Sequence, residues 1–168
     1  EGLPYPAVLN PGKSWLLQHG RWSRAAVRFA HNAREAREIL DSDQAFRAHP
    51  FRIQEYVEGR GQGVFALYDH GNPRAFFAHR RLREKPPCGG VSVLSESVAV
   101  DPDLEAHARS LLDKATWHGI AMVEFKVAPD GTPYLMENNT RFWGSLQLAI
   151  DSGVDFPYLR YELACNKE

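Results

Sequence analysis

The spacing of apolar and polar residues changes along the chain, and each change marks an element. "YPAVLN" and "AAVRFAH" predict two short strands joined by the loop "PGKSWLLQHGRWSR". Asn32 stands as an N-cap before the helical pattern "AREAREIL", and "FRIQEYV" predicts the next strand. The glycine-rich "EGRGQG" then marks a boundary between two small lobes, 1–58 and 59–168. "GVFALYD" and "RAFFAHRRL" flank "HGNP", a hairpin signal; "EKPPCGG" is a loop and "VSVLSESVAV" another strand. Asp101 and Pro102 open a helix whose apolar stripe is Leu104, Ala108, Leu111, Leu112 and Ala115, ended by Gly119. "AMVEFKV" and "PYLME" are strands around "APDGT", and the tail reads as two short helices broken near Gly153. Strands outnumber helices and come mostly in hairpins, so the expected class is α+β.

One stretch breaks the ordinary strand pattern. In "LMENNTRFWGS", Glu137, Asn139 and Arg141 alternate, and side chains two apart share a face of an extended chain. Asp130-Gly131 is a two-residue hairpin signal. With those residues as the turn, Glu124 and Glu137 lie equally far from its centre and face each other directly. Two carboxylates so placed repel. A shared proton would relieve them, as would a basic residue between them, Arg141 or Lys126. A hard cation is the third option, because two carboxylates and an amide oxygen suit Mg²⁺ or Mn²⁺ and not zinc. A solvated Glu–Lys–Glu ladder is the alternative without a ligand.

Composition narrows the function classes. The 168 residues are 43% hydrophobic and 24% charged with a formal net charge of -1, so no global field favours nucleic acid or an anionic membrane. No apolar run approaches the roughly 20 residues that span a bilayer. Cys88 and Cys165 form no CxxC pattern, which argues against a cysteine zinc site or disulfide framework and makes a reducing cytoplasm the default expectation. The chain starts without Met and is expected to be a fragment or a processed form.

With these residues in view, "GIAMVEFKVAPDGTPYLMENNTRFWGS" resembles the metal-binding end of ATP-grasp enzymes, and "RFWGSLQLAIDSGVDFP" resembles their carboxylate–amine-ligase-like branch. The resemblance implies an ATP-grasp fold of two small lobes with antiparallel sheets, packed helices and a nucleotide cleft between the lobes. Glu124, Glu137 and Asn139 match the magnesium ligands. Arg141 matches the arginine that holds the anionic substrate or intermediate. "RIQEYVEGRGQG" resembles the hinge strand carrying adenine, with Gln54, Glu55, Tyr56 and Val57 at the base. "YPAVLNPGKS" resembles the strand and phosphate-covering loop of the smaller lobe. The family's phosphate lysine falls at Asn10, so Lys13 would supply that charge. The ribose position falls at Gly61, where Glu58 would substitute.

The implied activity is ATP- and Mg²⁺-dependent activation of a small-molecule carboxylate as an acyl phosphate, displaced by an amine or similar nucleophile. A preceding N-terminal domain of the same polypeptide is implied as well. The rival reading is a non-catalytic nucleotide-binding module, degenerate at Asn10 and Gly61.

Other features add less. In "HRRLREK", extended geometry puts Arg81, Arg83 and Lys85 on one face, where Arg81 and Arg83 would meet phosphates or a carboxylate substrate. The alternative is a solvated sheet edge guarded by charge. "NPGKSW" is not a Walker loop. Cys88 has no histidine in a telling relation to it. The seven histidines show no HxxxH or HExxH spacing and read as surface or internally satisfied residues. Trp143 reads as core or pocket wall.

Overall fold

The computed structural model describes residues 2, 4–18, 20–85 and 90–165, so His19 and Cys88 lie outside the described residues. The chain divides into two compact units, Glu1–Val57 and Glu58–Glu168.

The first unit begins with β1 (Ala7–Pro11), followed by β2 (Trp15–Gln18), β3 (Arg21–Arg24) and β4 (Arg28–Ala30). Helices α1 (Ala33–Ser42) and α2 (Gln44–Ala48) come next, then β5 (Phe51–Glu55). An antiparallel sheet in the order β4-β1-β5 forms its centre. Ala7 and Leu9 point to one face and are fully buried, where Leu9 packs with Ala36, Ile39 and Phe46. Helix α1 starts as expected at Asn32, whose side chain accepts from Glu35 N, while Glu35 Oε2 accepts from His31 N. This reciprocal arrangement satisfies two otherwise orphaned donors. The loop expected between the first two strands contains a hairpin, β2 paired with β3 in the register Trp15↔Arg24 to Gln18↔Arg21. Leu16 is buried, whereas Trp15, Leu17 and Trp22 are exposed. Its short strands have too little alternation to separate from loop by pattern alone.

The second unit contains β6 (Arg60–Asp69), β7 (Asn72–Lys85), β8 (Val91–Val98), α3 (Pro102–Lys114), β9 (Gly119–Val127), β10 (Pro133–Asn139), α4 (Leu146–Asp151) and α5 (Phe156–Ala164). Its five strands form one antiparallel sheet, ordered β10-β9-β6-β7-β8. Both faces are covered. Val64, Ala66, Tyr68, Ala121 and Val123 pack on Leu104, Ala108 and Leu112 of α3. Phe65, Leu67, Phe77 and Met122 pack on Trp143, Ala149 and Phe156. The central strands therefore read as near-continuous apolar runs.

Asp101 caps α3 with hydrogen bonds to Asp103 N and Leu104 N. The helix ends earlier than expected: Thr116 takes φ 46°, and the N–H groups of Thr116 and Trp117 reach back to the carbonyls of Asp113 and Leu112. This closing motif is made by a threonine instead of Gly119, which opens β9. Of the expected stripe, Leu104, Ala108 and Leu112 are buried, while Leu111 and Ala115 are exposed.

Candidate functional site

The β9–β10 hairpin turns differently from the expectation, yet its acidic pair is the expected one. The turn spans residues 128–132, closed by Ala128 N to Thr132 O at 2.9 Å and Gly131 N to Ala128 O at 2.9 Å. That loop pairs Pro133 with Val127 and Leu135 with Phe125. Continued unchanged, this register would set Glu137 opposite Val123, on the wrong face. A bulge between Leu135 and Glu137 adds one residue and restores the pairing Glu137↔Glu124 and Asn139↔Met122.

Glu124, Glu137 and Asn139 consequently share the sheet face that carries Phe65 and Met122. Asn139 Nδ2 donates to Glu137 Oε1 at 2.6 Å. Glu124 is 6% exposed, and burial raises its pKa to about 7, reinforced by its hydrogen bond with the Glu137 carboxyl group. That same hydrogen bond holds Glu137 below the ordinary carboxylate range. The pair thus divides one proton unequally, the more buried oxygen keeping it.

The basic residue bonded to Glu124 comes from β7. Arg81 of β7 donates through Nη2 to Glu124 Oε1 and through Nη1 to Gly90 O at 3.1 Å. Its Nη1 also lies 3.5 Å from Glu84 Oε1. Lys126 stands opposite Tyr134. Strand β10 ends at Asn139, so the alternation does not extend to Arg141. Arg141 is exposed and donates to Phe142 O at 3.1 Å, while its charge still contributes to lowering the Glu137 pKa.

Arg83 and Lys85 do not share the face of Arg81 as expected. The β7–β8 ladder slips on both sides of Arg83, which sets Glu84 beside Arg81 and leaves Arg83 and Lys85 exposed. Nor is this stretch a free edge, because β8 covers it.

Two features escaped the pattern reading. The first is the pair of glycines in "RGQG", which belong to β6 and not to a link. A Cβ at Gly61 would sit 2.6 Å from Arg81 Cδ, and one at Gly63 would sit 2.8 Å from Phe65 Cζ. The absent side chains make room for Arg81 and for the second feature, His79. This histidine lies opposite Gly63, is 2% exposed, and packs edge-on against Phe65. Its Nδ1 is 2.9 Å from Ser145 Oγ, but its Nε2 has no hydrogen-bond partner. Burial, aided by Arg81, lowers its pKa to about 4, so it is a neutral imidazole. The alternation Phe77–His79–Arg81 in "FFAHRRL" was the available signal. Trp143 is buried core as expected, against Phe65.

In the first unit, Asn10 lies opposite Arg52 and Gln54 opposite Val8, on the sheet face away from Leu9. Glu55 pairs with Ala7, and Tyr56 N donates to Pro6 O at 3.0 Å. Tyr56 also meets Phe29 edge-on, Val57 is half-buried, and Lys13 is exposed between β1 and β2. Glu58 is exposed at the start of the second unit. Arg52 is a cation that the sequence reading did not connect with Asn10.

The fold is that of ATP-grasp ligases and carboxylases. L-amino acid ligase from Bacillus licheniformis matches with a TM-score of 0.66 and 17% identity, over 96% of this chain and 39% of that one. The biotin carboxylase domain of Hydrogenobacter thermophilus 2-oxoglutarate carboxylase, in complex with MgADP, ADP and bicarbonate, matches with a TM-score of 0.69 and 19% identity, over 96% and 37%. A Chryseobacterium gregarium RiPP-associated ATP-grasp ligase, in complex with ADP and a leader and core peptide, matches at 0.66 and 13% identity, over 96% and 49%. The chain thus spans well under two thirds of each of these proteins. No curated protein matches it. Residues 47–168 match the family described as ATP-grasp in the biosynthetic pathway with Ter operon, and the chain belongs to that family. Among the described residues, no helix is long and apolar enough to cross a membrane.

Proposed function

We propose that this chain is part of an ATP- and Mg²⁺-dependent ligase that activates a carboxylate as an acyl phosphate for attack by an amine or similar nucleophile. The observation that carries the reading is the register-matched Glu124–Glu137 pair, with Asn139 on the same face. Three oxygen donors without a sulfur or imidazole partner fit a hard divalent cation. The raised pKa of Glu124 marks a place where negative charge lacks full compensation, which fits the same ion. Glu124, Glu137 and Asn139 would hold it, and bound there it would supply neutralisation of phosphate charge.

The other roles fall to side chains of this chain. Arg81, anchored on the Gly90 carbonyl, brings a fixed positive charge to Glu124. Arg141, exposed and within electrostatic reach of Glu137, grips the reacting carboxylate through its planar fork. The apolar ring of Phe65 and the neutral His79 keep the adjoining face dry, which strengthens these charge interactions. In the first unit, Lys13, Asn10 and Arg52 are assigned to nucleotide phosphates, and the backbone at Gln54, Glu55, Tyr56 and Val57 to adenine. No protein nucleophile is required.

Thermal unfolding with and without Mg-nucleotide tests the reading. Saturation at 100 times Kd stabilises by about 2.7 kcal/mol, a rise of about 5–10 °C in Tm for a chain of this size. Glu137→Gln should abolish most of that rise. A folded wild-type protein with no shift at millimolar Mg-nucleotide would end the proposal.

A further inference from the structure

A second cluster of chemistry-bearing side chains lies at the other end of β6 from Gly61 and Gly63. Tyr68 pairs with Gly119, the last rung of the β6–β9 ladder, so Asp69 and His118 lie one residue beyond it, next to each other. His70 follows Asp69 in the turn to β7 with φ 45°, a left-handed conformation uncommon for a side chain other than glycine. That conformation folds the imidazole back on its own neighbour. His70 Nδ1 is 2.8 Å from Asp69 Oδ1, and His118 Nδ1 is 3.5 Å from the same oxygen. The two imidazole rings stack with centroids 4.1 Å apart.

The backbone around these three residues is tied down. Gly71 N donates to Trp117 O at 2.7 Å, joining the β6–β7 turn to the α3–β9 turn. Trp117 N donates to Leu112 O at 3.0 Å, and Trp117 Nε1 to Ile120 O at 3.2 Å. Asn72 Nδ2 donates to Asp69 O at 3.1 Å. Arg74 Nη2 takes the other carboxylate oxygen, Asp69 Oδ2, at 2.8 Å, and leaves Oδ1 facing the histidines.

We propose that Asp69, His70 and His118 form a binding site for a first-row transition metal ion of the Zn²⁺ type, which staples these two turns together. Their ligand atoms all lie within 4.8 Å of one another. A tetrahedral ion with bonds of about 2.0–2.1 Å separates its ligand atoms by roughly 3.3 Å, so small side-chain rotations, one of which frees His118 Nδ1 from the His70 N–H that donates to it at 3.4 Å, complete the set. Two imidazole nitrogens and one carboxylate oxygen are borderline donors, suited to Zn²⁺, Ni²⁺ or Cu²⁺ and not to Mg²⁺. Arg74 acts as the outer partner that orients the carboxylate. Arg160 Nη1 lies 3.2 Å from His118 Nε2. Metal on Nδ1 places the proton on Nε2, so Arg160 swings away on binding. The three residues leave the fourth position to water or to a ligand from outside.

The test uses the tag-free protein with Cys88→Ser and Cys165→Ser, so that thiols do not compete. Titration with Zn²⁺ should show one equivalent bound, with a rise in Tm that EDTA reverses. Co²⁺ should give the visible absorption of a site containing nitrogen ligands. His118→Gln and His70→Asn, the latter a residue that tolerates left-handed φ, should each weaken binding by more than about 100-fold, beyond the usual effect of losing an outer partner. His107→Gln on α3 should bind like the parent, and none of these changes should alter a response to Mg-nucleotide. Zn²⁺ binding equal in the parent and in His118→Gln, or absent below millimolar metal, would overturn the site.

Discussion

Replacing Glu124 by Gln should change how stability depends on pH, by an amount the structure sets. The folded Glu124 carboxyl has a pKa of about 7 against an ordinary 4.5, chiefly because it is buried. Between those values the folded chain keeps a proton that the unfolded chain has released. Stability from this group is therefore full below pH 4.5 and is lost as pH rises through about 7. Moving a carboxyl from 4.5 to 7 corresponds to about 3 kcal/mol. Glu137 is shifted in the opposite direction, so its contribution is present above its ordinary value and changes only at lower pH, outside this window. His79 stays neutral in the folded chain across it and takes up a proton there only on unfolding, a contribution set by burial and Arg81 and common to both proteins. The difference between Glu124→Gln and wild type isolates the carboxyl. Gln keeps an oxygen for Arg81 to bond and carries no charge at any pH. Urea unfolding followed by circular dichroism, without divalent cations, should show the variant gaining about 2–3 kcal/mol on wild type between pH 5 and pH 8. Parallel stability curves over that range would refute the claim that Glu124 is a desolvated, proton-sharing carboxyl.

Three further expectations follow from particular contacts. His79→Leu should flatten the acid limb: the folded value of about 4 lies below the ordinary 6.5, so wild type loses stability as pH falls through that interval, and the leucine protein should lose about 2–3 kcal/mol less. Gly63→Ala should cost about 1–3 kcal/mol in urea unfolding. The added methyl meets a Phe65 ring already held 4.3 Å, centroid to centroid, from Trp143. An unchanged midpoint would mean that this face is looser than described. Arg52→Ala should weaken Mg-ATP binding by about 1.5–3 kcal/mol in calorimetry, the scale of a charged hydrogen bond, and Asn10→Lys beside it should restore much of the loss. Neutral effects in both would remove this cross-strand pair from phosphate binding.

Much of the fold and one carboxylate pair could be read without coordinates because their causes are local. Asn32 and Asp101 cap their helices through nitrogens two or three residues away. The β6–β7 hairpin turns at His70 and Gly71, inside the quoted "HGNP" signal. The face-to-face placement of Glu124 and Glu137 came out of turn arithmetic, but through compensation: the loop is longer than assumed, and the bulge at Met136 returns the missing residue. Nothing in "PYLMEN" announces that bulge, since register depends on the partner strand as well as on the residues themselves.

Tertiary structure alone decided which cation meets Glu124. Arg141 is closer to Glu137 in the sequence, yet Arg81 arrives from two strands away across β6, over Gly61, while the slipped β7–β8 ladder leaves Arg83 outside. The burial that makes His79 neutral goes with contacts to Phe65 and Ser145, neither of them adjacent to it in the chain, and the high pKa of Glu124 likewise follows from burial in the folded protein. Caps, turns and alternation are short-range effects and are written in consecutive residues. Desolvation and ion pairing depend on distance in space, and the pairing of strands sets that distance.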